Sequence, residues 1–340
     1  MSTLINKQHR LVTRPAGEAT LDNFRLVEVP VPDLQAGQVL VRHHFLSLDP
    51  YMRGRMNEGK SYAEPQPLGE VMIGGTAGEV VASCNDRFAV GDQVVGMGGW
   101  QQYQVVDGSQ TAMLRKVDTR RIPLPAYLGA VGMPGVTAWY GLVKIIAPKP
   151  GETVVVSAAS GAVGAVVGQL ARLRGARAVG VAGGAEKCRV VVEEFGFDAC
   201  IDHRQHSDVR ALSAALKTAC PNGIDGDFEN VGGPILDAVM LRANAGARIA
   251  MCGMIAGYDG QPIPMAAPQL ILMNRMRVEG FIVSEHMECW PEALTELGGL
   301  VAAGRLKYRE TIAQGIEAAP AAFLGLLKGR NFGKQLVKLI

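Results

Sequence analysis

No stretch of this 340-residue chain approaches the roughly 20 consecutive apolar residues that a membrane-spanning helix needs. The N-terminus, MSTLINKQHRLVTR, carries charges where a secretory leader needs an apolar segment, so a soluble, cytoplasmic protein is expected. Charge of one sign is missing too. The 34 Lys and Arg set against 32 Asp and Glu leave a net charge of +2, without a basic run, so no nucleic-acid partner is expected. The six cysteines, Cys84, Cys188, Cys200, Cys220, Cys252 and Cys289, include no C-x-x-C pair and read as reduced, mostly buried thiols. The six histidines make no H-E-x-x-H. His43 and His44 would point to opposite faces of a strand, so no metal site is expected. Repeats and low-complexity tracts are absent.

What is present is apolar: 48% hydrophobic and 19% charged residues make a well-buried globular protein, long enough for two domains. The first part reads as short strands, Phe24–Val29, Gln38–Ser47, Thr76–Ala82, Gln93–Met97 and Gln102–Val106, punctuated by Gly and Pro. Gly37–Arg42 alternates as a half-exposed strand would. A small barrel-like β domain follows. From about Ala126 the texture changes. Tyr127–Ile146 is helix-like, and then strands (Thr153–Ser157, Arg177–Ala182, Ala199–Asp202, Gly226–Asn230, Arg248–Met251, Val278–Ile282) alternate with helices (Ala162–Arg174, Glu186–Phe195, Val209–Cys220, Pro234–Leu241, Pro268–Met276). That alternation predicts a doubly wound parallel sheet of six strands. The last thirty residues return to strand (Arg309–Ile312), amphipathic helix (Ile316–Leu327) and strand (Lys334–Leu339). Residues 128–308 are therefore expected as a nucleotide-binding insertion between 1–127 and 309–340.

The segment Thr153–Gly164, TVVVSAASGAVG, carries the chemistry. A β-branched strand runs into a small-residue turn and then a helix, which places bare N–H groups and the positive end of a helix dipole against a pyrophosphate. Ala159 stands where the first Gly of G-x-G-x-x-G would be, followed by Gly161 and Gly164. In NAD-binding domains a carboxylate ends the second strand. Here that strand ends Gly183-Gly184-Ala185, and Glu186 and Lys187 follow. The missing anion and the nearby cation favour NADP(H).

The ordered segments Leu48–Arg53, Met133–Tyr140, Ala158–Gly164, Glu186-Lys187, Glu229–Gly233, Cys252–Ile255 with Tyr258, and Asn331–Lys334 together resemble the medium-chain dehydrogenase/reductase superfamily. Within it they resemble the zinc-free branch of prostaglandin reductases, 2-alkenal reductases and curcumin reductases, over essentially the whole chain. The resemblance implies an α/β fold: a doubly wound parallel six-stranded Rossmann sheet inserted in a mainly β, barrel-like (GroES-like) catalytic domain. Where zinc relatives carry a metal-ligating motif, this chain reads Leu68–Gly75 without a ligand set. Alcohol oxidation through a zinc-held alkoxide is therefore not expected. Reduction of an activated C=C bond needs only a hydride and a proton donor.

The resemblance also assigns roles. Gly161, Ala162, Val163 and Gly164 carry the pyrophosphate turn, and Lys187 meets the 2′-phosphate. Asn230 lies near the ribose and nicotinamide, and Cys252, Gly253 and Met254 pass along the cofactor. Phe281, Ile282 and Val283 flank the nicotinamide, and Asn331 reaches toward the cofactor from the C-terminal piece. Relatives often place a Tyr after the third strand; Asp202-His203 stands there, and His203 reads either as a phosphate partner or as a surface histidine. Tyr258 matches the family's proposed catalytic tyrosine, as the donor to an enolate oxygen, or is a loop aromatic over the cleft. Whether it or water gives the α-proton stays open. Tyr51 reads as a pocket or a packing residue, Arg53 as structural or carboxylate-binding, and Met52, Met56 and Met72 as an adaptable wall or as core. The implied activity is NADPH-dependent enone or alkenal reduction by a homodimer. A quinone reductase of the same superfamily and a non-catalytic nucleotide-binding module are the alternatives.

Overall fold

A computed structural model describes residues 4–107 and 113–340. In chain order its strands are β1 (Ile5–Leu11), β2 (Phe24–Pro30), β3 (Val39–Ser47), β4 (Thr76–Ser83), β5 (Gln93–Gly96), β6 (Tyr103–Val106), β7 (Arg115–Lys116), β8 (Thr153–Ser157), β9 (Arg177–Ala182), β10 (Ala199–Asp202), β11 (Ile224–Glu229), β12 (Ala243–Met251), β13 (Arg277–Gly280), β14 (Glu310–Gln314) and β15 (Lys334–Lys338). The helices are α1 (Tyr51–Arg55), α2 (Met133–Tyr140), α3 (Gly164–Leu173), α4 (Ala185–Glu193), α5 (Val209–Ala219), α6 (Pro234–Met240), α7 (Gln269–Met273), α8 (Trp290–Ala302) and α9 (Ala319–Leu327). They form two units, Met1–Gly129 with Glu310–Ile340, and Ala130–Arg309. No helix among the described residues is long and apolar enough to cross a membrane.

In the first unit the sheet runs β14-β15-β3-β4-β5-β7, with β6 also paired to β3. A separate hairpin, β1 with β2, runs from Ile5 opposite Pro30 to Leu11 opposite Phe24. The half-exposed reading of Gly37–Arg42 is corrected: Val39, Leu40 and Val41 are all buried. Their strand has partners along both edges, and Val39 and Val41 pack into a cluster with Val80, Phe88 and Val94. Phe24 and Phe323 pack on Trp100 with ring centroids 5.2 and 5.6 Å apart. Met52, Met56 and Met72 fill the same core with no exposed surface. Arg53 is 1% exposed and donates to Asn57 Oδ1 at 2.6 Å and to the Gly17 carbonyl, which ties a loop down.

The second unit is a six-stranded parallel sheet in the order β10-β9-β8-β11-β12-β13. Every residue of β8 is buried, as a strand covered on both faces requires. On one face Val155, Val179 and Val181 pack against Leu212 and Leu216 of α5 and Ile235, Ala238 and Val239 of α6. Strand order reverses between β8 and β11, the place where doubly wound sheets bind ligands beyond the strand carboxyl ends. The single helix expected over Tyr127–Ile146 is broken. Gly132 is extended at φ −135° and ψ −157°, α2 follows, and Gly141–Ile146 forms a wider π-turn. A Cβ on Gly141 would meet Phe228 at 2.5 Å, so only glycine lets the turn pass the sheet.

Candidate active site

Three groups of residues gather at the carboxyl ends of β8 to β12, all within the second unit. The first is the turn after β8. Ala158 holds φ +48°, a left-handed conformation that costs a non-glycine residue of order 1–3 kcal/mol. It is fixed there by two bonds: the Gly161 N–H donates to the Ala158 carbonyl at 2.9 Å, and the Ala159 N–H to Val181 of β9 at 3.1 Å. A Cβ on Gly164 would lie 2.5 Å from the Ala158 carbonyl oxygen, so the helix start needs glycine. No side chain caps α3. The turn Gly161, Ala162, Val163 and Gly164 therefore presents small residues and a helix N-terminus, a cradle for a phosphate.

The second group surrounds the turn after β9. A Cβ on Gly183 would stand 3.0 Å from both Arg204 Nε and His203 Nε2. Asp202 faces inward: Oδ1 accepts from the Gly184 N–H at 2.8 Å and the Arg204 N–H at 3.1 Å. Partial burial opposes its ionisation, yet these N–H groups and the His203 and Arg204 charges hold its carboxyl below the usual range. Burial and the Arg204 charge both lower the Lys187 ammonium. The same two causes, with Lys187 adding to them, hold the His203 imidazole below its ordinary value. Lys187 and Arg204 are cations that repel one another beside a glycine turn, with a neutral His203 next to them, and a phosphate dianion suits such a group. Lys187 and His203 were expected here; Arg204 was not. Its signal was its place directly after Asp202-His203, at the end of the third strand of the sheet.

The third group is a ledge built by Glu229, which the sequence marked only as the start of a family segment and gave no role. Glu229 is fully buried. Its Oε1 accepts from Ser157 Oγ at 2.7 Å, the Gly232 N–H at 2.9 Å and the Val231 N–H. Its backbone carbonyl accepts from Cys252 at 2.9 Å and Gly253 at 3.1 Å. Asn230 donates its N–H to Ser157 Oγ at 2.7 Å and its Nδ2 to the Ser157 carbonyl at 2.8 Å. The Asn230 and Val231 carbonyls accept from Ile255 at 3.2 Å and Ala256 at 3.1 Å. Asn230, Cys252, Gly253 and the Tyr258 loop are thus one hydrogen-bonded body. A Cβ on Gly253 would lie 3.4 Å from the Tyr258 hydroxyl and 3.3 Å from the Asn230 carbonyl oxygen, so the phenol folds back over the ledge. Burial and the nearby Glu229 push the Cys252 thiol up to about 12. That thiol is no nucleophile at neutral pH. Met254 stands exposed beside it.

The other expected residues are placed as follows. Phe281 turns its ring into the core, 5.4 Å from Tyr140 and 6.1 Å from Phe228 between centroids. The Ile282 carbonyl accepts from Glu285 at 3.0 Å, and that of Val283 from Trp290 Nε1 at 3.1 Å. Tyr51 and Asn331 belong to the first unit. Burial first, then the Asp49 charge, raises the Tyr51 phenol, which packs against the methionine core. Asn331 is buried and donates to the Gly333 carbonyl at 2.7 Å.

Two family profiles match the chain: one described as the N-terminal domain of oxidoreductase over residues 7–114, and one described as zinc-binding dehydrogenase over residues 162–298. The NADPH-dependent curcumin reductase of Escherichia coli is 45% identical over 341 residues, covering 98% of this chain and 97% of that protein. The 2-alkenal reductase of Nicotiana tabacum is 42% identical over 314 residues, covering 92% and 90%. A crystal structure of CurA in complex with NADPH from Vibrio vulnificus superposes with a TM-score of 0.91 at 42% identity, covering 98% of this chain and 99% of that one. The chain belongs to the zinc-free branch of the medium-chain dehydrogenase/reductase superfamily. In this member no group of three or more His, Cys, Asp or Glu among the described residues is placed to hold a metal ion, the profile's description notwithstanding. The family fold, with a parallel six-stranded sheet in one unit and mainly β structure in the other, is the one described above.

Proposed function

We propose that this medium-chain reductase uses NADPH to reduce the C=C bond of α,β-unsaturated ketones and aldehydes. Its relatives are named for NADPH-dependent reduction of curcumin and alkenals. The observation that carries the reaction is the Tyr258 hydroxyl folded over Gly253 and Asn230, on a ledge tied through Ser157 to the glycine turn. The residues fit the dinucleotide. The turn Gly161–Gly164 would hold the pyrophosphate, and Lys187, His203 and Arg204 the 2′-phosphate. Asn230 and Cys252–Met254 would line its ribose side, with the Phe281–Val283 backbone near its carboxamide. The cofactor, when bound, supplies a hydride to the substrate β-carbon.

The chain's part is electrostatic. As the β-carbon is reduced, the C=C π pair shifts to join the α-carbon to the carbonyl carbon and the C=O π pair moves onto oxygen, which leaves an enolate. The Tyr258 hydroxyl donates a hydrogen bond to that oxygen, and the α-carbon then takes a proton. A donor placed for charge that develops only in the transition state lowers the barrier. Tyr51 and Asn331 are carried as proposals for substrate and cofactor contact on the family resemblance alone. A homodimer is also proposed. The parallel sheet ends at β13, and Leu272 and Met273 on the helix before it are 81% and 63% exposed. Sedimentation at a dimer mass supports this, and a monomer at micromolar protein contradicts it.

The test of the reaction is product analysis. Purified protein with NADPH is offered matched alkenals, enones, quinones and saturated ketones. Saturated carbonyl products from the enals and enones support the proposal. Allylic alcohols, or turnover of quinones alone, contradict it.

A further inference from the structure

Two cysteines meet directly beneath the turn that carries the cationic cluster. Cys188 lies in the first turn of α4, one residue after Lys187, and Cys200 lies in β10, two residues before Asp202. Cys200 is in register with Gly180 of β9. Its sulfur would stand 3.2 Å from a Cβ at Gly180, so that glycine opens the space in which the sulfur sits. The same point lies 2.8 Å from the Ala159 Cβ of the phosphate turn and 3.0 Å from Val191 of α4. Cys188 and Val191 stand three residues apart on α4 and so share the face that meets the Cys200 sulfur beside Gly180, and the two thiols interact there. Both cysteines are partly exposed, unlike the buried Cys220 and Cys289. Nothing in the proposed reduction uses either of them.

We propose that Cys188 and Cys200 form a modification site: a dithiol that a peroxide converts to an internal disulfide between α4 and β10. Cys188 is the attacking sulfur. The interaction with Cys200 favours its thiolate, and Cys200, whose own ionisation that interaction and burial oppose, stays the resolving thiol. The Cys188 thiolate attacks one peroxide oxygen. An S–O bond forms, the O–O bond breaks and hydroxide leaves, giving a sulfenic acid. The Cys200 sulfur then attacks Cys188. The S–S bond forms, the S–O bond breaks, and water carries away the oxygen with the thiol proton. Two thiols lose two electrons and two protons, and the peroxide is reduced to two waters.

The consequence is positional. A disulfide holds its sulfurs about 2.05 Å apart, closer than any thiol hydrogen bond. Closing it draws the first turn of α4 toward β10. That turn carries Lys187 and starts at Gly184, so the phosphate cradle moves with it. The link itself stands on the thiol pair. Its effect on cofactor rests on the placement of the 2′-phosphate proposed above.

The test uses the whole chain treated with hydrogen peroxide and alkylated under denaturing conditions. Peptide mapping reads the link, and fluorescence titration reads NADPH affinity. The expected result is a Cys188–Cys200 cross-linked peptide and NADPH binding weakened at least fivefold. Dithiothreitol should restore it by exchange. Cys188→Ser should not respond to peroxide, and Cys200→Ala or Cys200→Ser should stop at a Cys188 sulfenic acid with no cross-link. A Cys188 sulfinic acid without the cross-link, a link to another cysteine, or two alkylated thiols would overturn the site. A formed link with unchanged affinity overturns the coupling, provided Arg204→Ala weakens NADPH. If Arg204→Ala also leaves affinity unchanged, the placement of the phosphate falls and the thiol pair stands.

Discussion

Arg204→Ala separates the cation cluster from the rest of the nucleotide site. The guanidinium points its Nε toward Gly183, where His203 Nε2 also arrives. Hydrogen bonds to charged groups contribute about 1.5–3 kcal/mol, and Arg204 lies in an exposed turn, so the lower end applies. A loss near 1.4 kcal/mol is a factor of about ten in affinity. NADPH should therefore bind Arg204→Ala roughly tenfold more weakly, with KM rising and kcat nearly constant. NADH, which has no 2′-phosphate, should bind unchanged. The pH dependence follows from the same cluster. Burial and the two neighbouring cations keep His203 neutral in the free protein at pH 7. A bound dianion favours its charged form, so binding takes up a proton and NADPH affinity rises as pH falls from 8 toward 6. His203→Ala flattens that slope. The assay is fluorescence titration with both nucleotides across pH. Equal losses for NADH and NADPH, or no loss for either, would refute the placement.

Three further outcomes test the scaffold. Gly164→Ala places a methyl 2.5 Å from the Ala158 carbonyl, and the backbone must give way. Overpacking costs about 1–3 kcal/mol, so the melting temperature should fall and NADPH and NADH should weaken together. Glu229→Ala leaves the Ser157 hydroxyl and the Val231 and Gly232 N–H groups without their acceptor. A loss of about 3 kcal/mol or more in denaturant unfolding is expected, with Glu229→Gln retaining most stability because the accepting oxygen remains. Asp227 is 1% exposed and neither carboxylate oxygen has a partner. Burial first, then the Glu229 charge, raises its pKa well above the ordinary value. The unfolded chain ionises Asp227 from about pH 4 upward while the folded chain does not, so stability drains as pH rises toward the folded pKa. Asp227→Val should raise the melting temperature, and by more at pH 8 than at pH 5; equal gains at both would contradict the assignment.

The Rossmann strands were legible because Thr153–Ser157 and Ala178–Ala182 are largely apolar and buried throughout, and such runs announce themselves. The hairpin strand β1 was not: INKQHRL buries Asn6, Gln8 and His9, polar residues that reach distant partners such as Gln101 and Ile316. Helix α8 was missed because Gly298 and Gly299 interrupt its periodicity. Strand β12 begins at Ala243, earlier than expected, since Gly246 passes through it at φ +78° in a segment that reads as a turn. At the site, glycine spacing marked the turn after β8, and Lys187 and His203 were visible from their place after strands. Arg204 and Glu229 were not, because each acts through a backbone arrangement that exists only after the strands align. His203 and Arg204 meet over Gly183, and one Glu229 oxygen gathers donors from two strand ends.

The proposed reduction depends on one hydroxyl, and Tyr258→Phe removes it while keeping the ring. The measurement is NADPH oxidation at 340 nm with a simple enone, alongside NADPH affinity. Losing one donor of this kind costs about 10²–10³ in kcat. The enone kcat of Tyr258→Phe should fall by that order with NADPH affinity unchanged. Undiminished enone turnover in Tyr258→Phe would contradict the proposal.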